Sequence, residues 1–287
     1  LRKLGRTADA LTFIEDSLQI DSFNVGCLWE KYLLTRDAAI LDLMHTAMRG
    51  TAHDYIEYAM DFMEAGLWEE ASMLLHTYAD SLADVYPIVL YTLGYIAEMQ
   101  GQMAEAESFY QKAETSNPAY GFPNRHEEVI ILSHAIALNP MGAKAYYYLG
   151  NFFYSKKQYS DAVDAWEKSA AIDSTFPTVL RNLALAYYNK RNDKQRALQL
   201  MERAFHLDKT DSRIFMELVQ LYKRLGYSYQ QRLDILNTYF NLTQERDDLM
   251  IEYAQLHNQL RRYTEAKKII ADRRFHPWEG GEGKVTG

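Results

Sequence analysis

AKAYYYLGNFFYSKKQYSDAVDAWEKSAAIDST, residues 143–175, decides how this chain is read. Tyr146, Leu149, Gly150 and Phe153 recur at i, i+3, i+4 and i+7, which is one face of a helix. A polar turn follows, and Tyr159, Ala162, Trp166 and Ser169 repeat the arrangement on a second helix. Gly150 and Ala162 fall where two such helices would cross. Small side chains there let the backbones close to roughly 8–10 Å, and the large residues fill the space above and below. The stretch predicts a helix hairpin.

Its order, aromatic–Leu–Gly–aromatic and then Tyr–small–aromatic–small, resembles the tetratricopeptide repeat, a hairpin of about 34 residues. The same register runs outward in both directions. Gly150 to Ala184 is 34 residues, and the steps to Val219 and to Ala254 are 35 each. Ala197 and Ala266 hold the small positions of second helices, whereas Leu233 replaces one and should loosen its hairpin. The loops 189–195 and 226–230 absorb the added residues. On the other side, Ala59 with Ala71 and Gly94 with Ala106 keep the spacing of Gly150 with Ala162. Gly66, Gly101 and Pro118 punctuate these hairpins.

Two places break the register. From Gly94 to Gly150 the interval is 56 residues, and YGFPN at 120–124 then precedes a single predicted helix over 125–138. Leu132, Ala135 and Pro140 match the second helix of a repeat, so this segment reads as a half-repeat whose missing partner leaves a discontinuity. Residues 1–22 read likewise as a second half, through Ala10, Ile14 and Ser17, and suggest a fragment of a longer protein. Val25–Thr35 and Ala38–Met48 form a degenerate pair without the Leu–Gly signature.

The expected fold is all-α, a solenoid of about 13 or 14 helices in tetratricopeptide-type hairpins with a right-handed superhelix. Truncated and degenerate repeats occupy 1–50, two repeats 51–118, the half-repeat and bend 119–140, four repeats 141–278 and a Gly-rich tail 279–287.

The 31 Lys and Arg against 39 Asp and Glu give a formal charge of −8, which argues against nucleic acid as a partner. No apolar run reaches the roughly 20 residues of a membrane helix, so a soluble chain without a membrane partner is expected. Cys27, the single cysteine, reads as a small buried hydrophobe and leaves the compartment open, cytoplasm ahead of periplasm.

Several strings are more specific: YGFPNRHEEVIILSHAIALNP, FPTVLRNLALAYYNK, QLYKRLGYSYQQRL, QERDDLMIEYAQL and RRFHPWEGGEGKVTG. From about residue 120 onward they resemble the helical-repeat region of a large bacterial family of unknown function. In that family the repeats follow a mutarotase-like, carbohydrate-associated β-domain. The resemblance implies that sugar-binding or catalytic residues would lie in a preceding part, and it assigns no role to the RFHPWEGGEGKV tail.

The chain itself offers no catalytic residue. Its histidines lack metal-ligand spacing, with His126 and His134 eight apart and no HExxH pattern. No nucleophile motif or phosphate loop is present, so neither metal nor cofactor is expected. Carboxylate pairs such as Glu127-Glu128 and Asp247-Asp248 stand at helix starts, where the helix dipole favours them.

What remains is the groove. By resemblance, positions 2, 5, 9, 12 and 13 of each first helix line its concave side. The candidate partner-binding residues are therefore Tyr91, Tyr95, Lys144, Tyr147, Asn151, Tyr154, Arg181, Tyr188, Asn189, Arg213, Gln220, Lys223 and Arg224. A tyrosine wall running into an Arg/Lys wall suits an extended segment with an acidic end. Asn151, Asn182 and Arg213 also coincide with part of the carboxylate clamp of chaperone-binding tetratricopeptide domains. Tyr147 and Glu217 break that pattern, standing where Lys and Arg are expected.

The expected function is a protein-interaction scaffold holding a partner segment, or the protein's own preceding β-domain. The alternative is a non-catalytic wall of the sugar site in a carbohydrate-active enzyme.

Overall fold

A computed structural model describes residues 1–118 and 121–276. These residues form helices and no strands, in two units, residues 1–155 and 156–287.

The first unit contains α1 (Thr7–Ile20), α2 (Val25–Thr35), α3 (Ala38–Met48), α4 (Ala52–Glu64), α5 (Trp68–Ala79), α6 (Pro87–Met99), α7 (Met103–Thr115), α8 (His126–Leu138) and α9 (Ala143–Ser155). Helices α2 and α3, α4 and α5, and α6 and α7 are antiparallel neighbours, and α5 packs on α6. Left-handed Gly66 and Gly101, at φ +74 and +78, turn the α4/α5 and α6/α7 hairpins, a conformation that only glycine adopts without strain. The core follows the periodicity: Ile56, Ala59 and Met60 of α4 are buried, as are Ala71, Leu74 and Leu75 of α5.

Gly94 is the tightest point of the α6/α7 pair. A Cβ there would run into the ring of Tyr110, which is itself buried and hydrogen-bonded through its hydroxyl to Glu98 at 2.9 Å. The missing side chain thus admits an aromatic ring, where the sequence pattern had suggested the small Ala106 opposite.

Helix α8 is the single helix expected of the half-repeat near 119–140, and its neighbours are defined. It does not complete a hairpin. It packs against α6 and α9, while α7 meets α9 as a second helix meets the next repeat's first. The buried residues of α8 are Glu128, Ile131, Leu132 and Ala135, at i, i+3, i+4 and i+7. Any amphipathic helix shows that spacing, so the pattern reports that one face is covered without saying by what. Helix α1 buries Ala10 and Ile14 as expected, and Cys27 is only half-buried, against expectation.

The second unit contains α10 (Tyr159–Ile172), α11 (Pro177–Ala186), α12 (Lys194–Leu207), α13 (Ser212–Arg224), α14 (Tyr229–Thr238), α15 (Phe240–Glu245), α16 (Asp247–Gln259) and α17 (Tyr263–Ala271). The described helices exceed the 13 or 14 expected, in part because α15 was not foreseen. A π-helical turn, Tyr187–Arg191, follows α11 where a loop was expected. One such turn absorbs one extra residue, which suits the step of 35. Leu233 is fully buried and contacts between α13 and α14 are sparse, so that hairpin is the loose one.

After α17 the chain returns to α16. Asp247, 2% exposed, accepts hydrogen bonds from Arg273 Nε at 2.5 Å and His276 N at 2.6 Å. Burial alone would raise its pKa; the His276 N–H and the Arg273 guanidinium outweigh that and hold it below the usual range. A depressed carboxylate stabilises the fold above its unfolded pKa near 4 and loses that contribution as pH falls through the folded value. The protection factor of the His276 amide, its exchange rate relative to the unstructured rate at the same pH, should therefore be high at neutral pH, fall in acid, and be low at both in Asp247→Ala. This anchor holds the RFH part of the tail string; residues 277–287 lie outside the described residues.

Candidate functional site

In the first unit the first-helix face is already covered, and the cover is α8. Positions 5, 9 and 12 of α4 are Ile56, Met60 and Met63, all buried; in α6, Ile88 and Tyr91 are fully buried. Arg125 reaches Glu57 of α4 at 2.9 Å, and His134 lies 2.9 Å from the Glu98 carboxylate of α6. The His134 ring also meets the Tyr95 ring edge-on at 4.9 Å. Glu128 anchors the start of the helix, accepting the Asn124 and Arg125 amides at 2.5 and 2.7 Å. Its burial raises its pKa, and these two hydrogen bonds offset part of the rise.

The strand-like entry to α8 is equally fitted. Gly121 lies so close to the Tyr148 ring that no side chain fits, and its carbonyl accepts from Asn151 Nδ2 at 3.1 Å. The Phe122 amide donates to the Tyr86 hydroxyl at 3.0 Å. Tyr120 lies outside the described residues.

Of the sequence-predicted groove residues of this unit, Tyr91, Tyr147 and Asn151 are buried. Tyr91 is 0% exposed with its hydroxyl on Glu114 at 2.6 Å; Tyr147 is 4% and Asn151 9% exposed. Glu114 also accepts the Lys144 and Ala145 amides at 2.9 and 3.0 Å, capping α9 with a carboxylate from α7. Lys144 donates through Nζ to the Ser116 carbonyl. Tyr95 and Tyr154 are half-buried. The apolar character of the face, visible in the sequence, reflects burial of the chain's own helix.

In the second unit the face stays more open, and carboxylates organise it. Glu217 receives Arg181 Nε at 2.5 Å and lies 3.7 Å from Arg213 Nε. Arg181 donates through Nη1 to Asn182 Oδ1 at 3.0 Å. Glu252 pairs with Lys223 at 2.5 Å and with buried Arg232. The glutamates stand 35 residues apart, one repeat step, and that interval is the signal by which Glu252 could have been found. The Arg213 side chain remains 62% exposed, Arg224 lies over the half-buried Tyr188 ring at 5.6 Å, and Asn189 and Gln220 are exposed.

The clamp reading fails at this point in a specific way. Glu217, where an arginine was expected, places a resident carboxylate beside Arg181 and Arg213. Arg181 and Lys223, read as cations for an acidic partner, each already hold an internal carboxylate. Among the described residues no three His, Cys, Asp or Glu side chains gather as for a metal ion, and no helix is long and apolar enough to cross a membrane.

Family models described as tetratricopeptide repeat and TPR repeat match residues 58–120 and 150–190, respectively. The chain thus carries tetratricopeptide repeats, the helix-hairpin class associated with protein interaction, and α8 lies between the two matched stretches. Among solved structures, it is similar to the C-terminal part of a TPR repeat-containing protein from Cytophaga hutchinsonii (15% identity, TM-score 0.44, covering 93% of this chain and 95% of that one). It is also similar to MamA from Desulfovibrio magneticus RS-1 (20% identity, TM-score 0.39, 68% and 97%). A third is YrrB, titled a TPR protein with an unusual peptide-binding site (16% identity, TM-score 0.41, 69% and 89%).

Proposed function

We propose that this chain is a non-catalytic interaction scaffold that holds a partner segment on the first-helix face of its second unit. The observation that carries this reading is α8: in the first unit the same kind of face holds a helical segment by apolar contacts and ion pairs. In the second unit the matching positions include exposed Arg213, Gln220 and Asn189, with Arg224 beside Tyr188. Two exposed guanidinium groups favour an occupant with an acidic end, because Arg engages carboxylates through paired hydrogen bonds. The occupant is either a segment of another protein or a β-domain of the same protein, in keeping with the family resemblance.

Reversal of Arg181 or Lys223 would leave Glu217 or Glu252 facing a like charge, so those positions test folding first. Arg213→Glu with Arg224→Glu is the cleaner pair. Panned against a random peptide library, the chain should retain peptides with acidic ends, and the double variant should lose retention by roughly tenfold. An unchanged melting temperature would locate the loss at the surface. Equal retention by both proteins would refute the reading.

A further inference from the structure

Beside α8 a cleft of about 150 Å³ remains open in the first unit. Met60 and Met63 of α4, Ile130 and Ile131 of α8, and the rings of Trp68 and Tyr95 wall it; Glu64 and Glu127 stand at its edge. Trp68 and Tyr95 are half-buried and meet edge-on at 6.1 Å, so part of each ring is accessible. Thioether and aliphatic walls suit a hydrocarbon stem, aromatic faces attract a cation, and carboxylates complete its charge.

The surrounding charge has the same sign. Asp54, Glu57, Asp61 and Glu64 follow one another at i, i+3, i+7 and i+10 along one side of α4. Arg125 meets Glu57 and also Glu127, at 3.4 Å, while Asp61 and Glu64 form no ion pair among the described residues. Residues 1–155 carry 9 Lys and Arg against 21 Asp and Glu, whereas residues 156–287 carry 22 against 18. The whole-chain charge of −8 conceals this division.

We infer that this cleft receives a lysine or arginine side chain from a basic segment of another protein, its stem along Met60, Met63 and Ile130 and its cation between Trp68, Tyr95 and Glu64. The site uses none of the residues assigned to the second unit's face, so either can fail without the other.

The test is fluorescence anisotropy on the full chain with a labelled peptide of alternating leucine and arginine, beside a control with glutamate for arginine. The arginine peptide should bind saturably and the control should not. Glu64→Lys should weaken binding roughly tenfold. Glu105→Lys makes the same charge change at an exposed residue that does not line the cleft, and should weaken it far less. Trp68→Ala, with its fold checked by circular dichroism, should also reduce affinity. Equal loss in both lysine variants would reduce the effect to diffuse attraction and overturn the inference. So would absence of binding, or sedimentation showing that a second copy of the chain covers the cleft.

Discussion

Leu132→Ala lowers the unfolding free energy of the first unit by about 2–5 kcal/mol, the range for truncating a leucine with no exposed surface. Leu132 is 0% exposed and lies on the covered side of α8, with Ile131 and Ala135 beside it. The loss combines the transfer energy of the removed atoms with the cavity left behind. It should be local in a recognisable way. Hydrogen exchange should quicken through 126–138 and at Met60 and Tyr95, because those residues lie beside α8. Ile130→Ala on the same helix should fall within about 0.5 kcal/mol, since Ile130 is 52% exposed. Equal effects of the two substitutions in urea titrations would mean that α8 is not seated as described.

Gly94→Leu should be of similar size for the opposite reason. The new side chain enters the space of the Tyr110 ring, which is enclosed and tied to Glu98. Overfilling a packed site costs about 1–3 kcal/mol and occasionally more, and loss of the Tyr110–Glu98 hydrogen bond adds to it. Gly26→Ala is the contrast. A Cβ at Gly26 meets only Asn24 Oδ1, at 3.6 Å, and alanine favours the helix by up to about 1 kcal/mol. Thermal melts should therefore fall for Gly94→Leu and hold or rise for Gly26→Ala. A neutral Gly94→Leu would contradict the packing of α6 on α7.

These two positions also show what a single sequence can convey. The hairpin register was legible because it is local: Ala59 and Gly94 stand 35 residues apart, Gly150 and Ala184 stand 34 apart, and all four are buried. The partner of each small residue was less legible, since Tyr110 rather than Ala106 fills the space at Gly94. The place of α8 was hidden for a deeper reason. Helical periodicity identifies a covered face but carries no information about the covering element, and Glu57, Glu98 and Asn151 are distant in sequence from what they bind.

The candidate site divides in the same way. Most of the groove positions fall on first helices, with Tyr188 and Asn189 on the π-helical turn after α11. Whether a position faces solvent, a resident helix or a neighbouring carboxylate depends on contacts between repeats. Tyr91 is enclosed against Tyr148 of α9, and Arg181 and Lys223 are engaged by Glu217 and Glu252. The two glutamates recur at the repeat interval, so a search for like residues one repeat apart would have aligned Glu217 with Glu252, although their partners lie at unequal separations.

The most direct measurement is a nuclear Overhauser spectrum of the aromatic region. Tyr95 and His134, with ring centroids 4.9 Å apart and 39 residues between them in sequence, should give a strong cross-peak. Silence between those rings, with α8 contacting only the helix that follows it, would leave the first unit's face open and contradict the seating of α8.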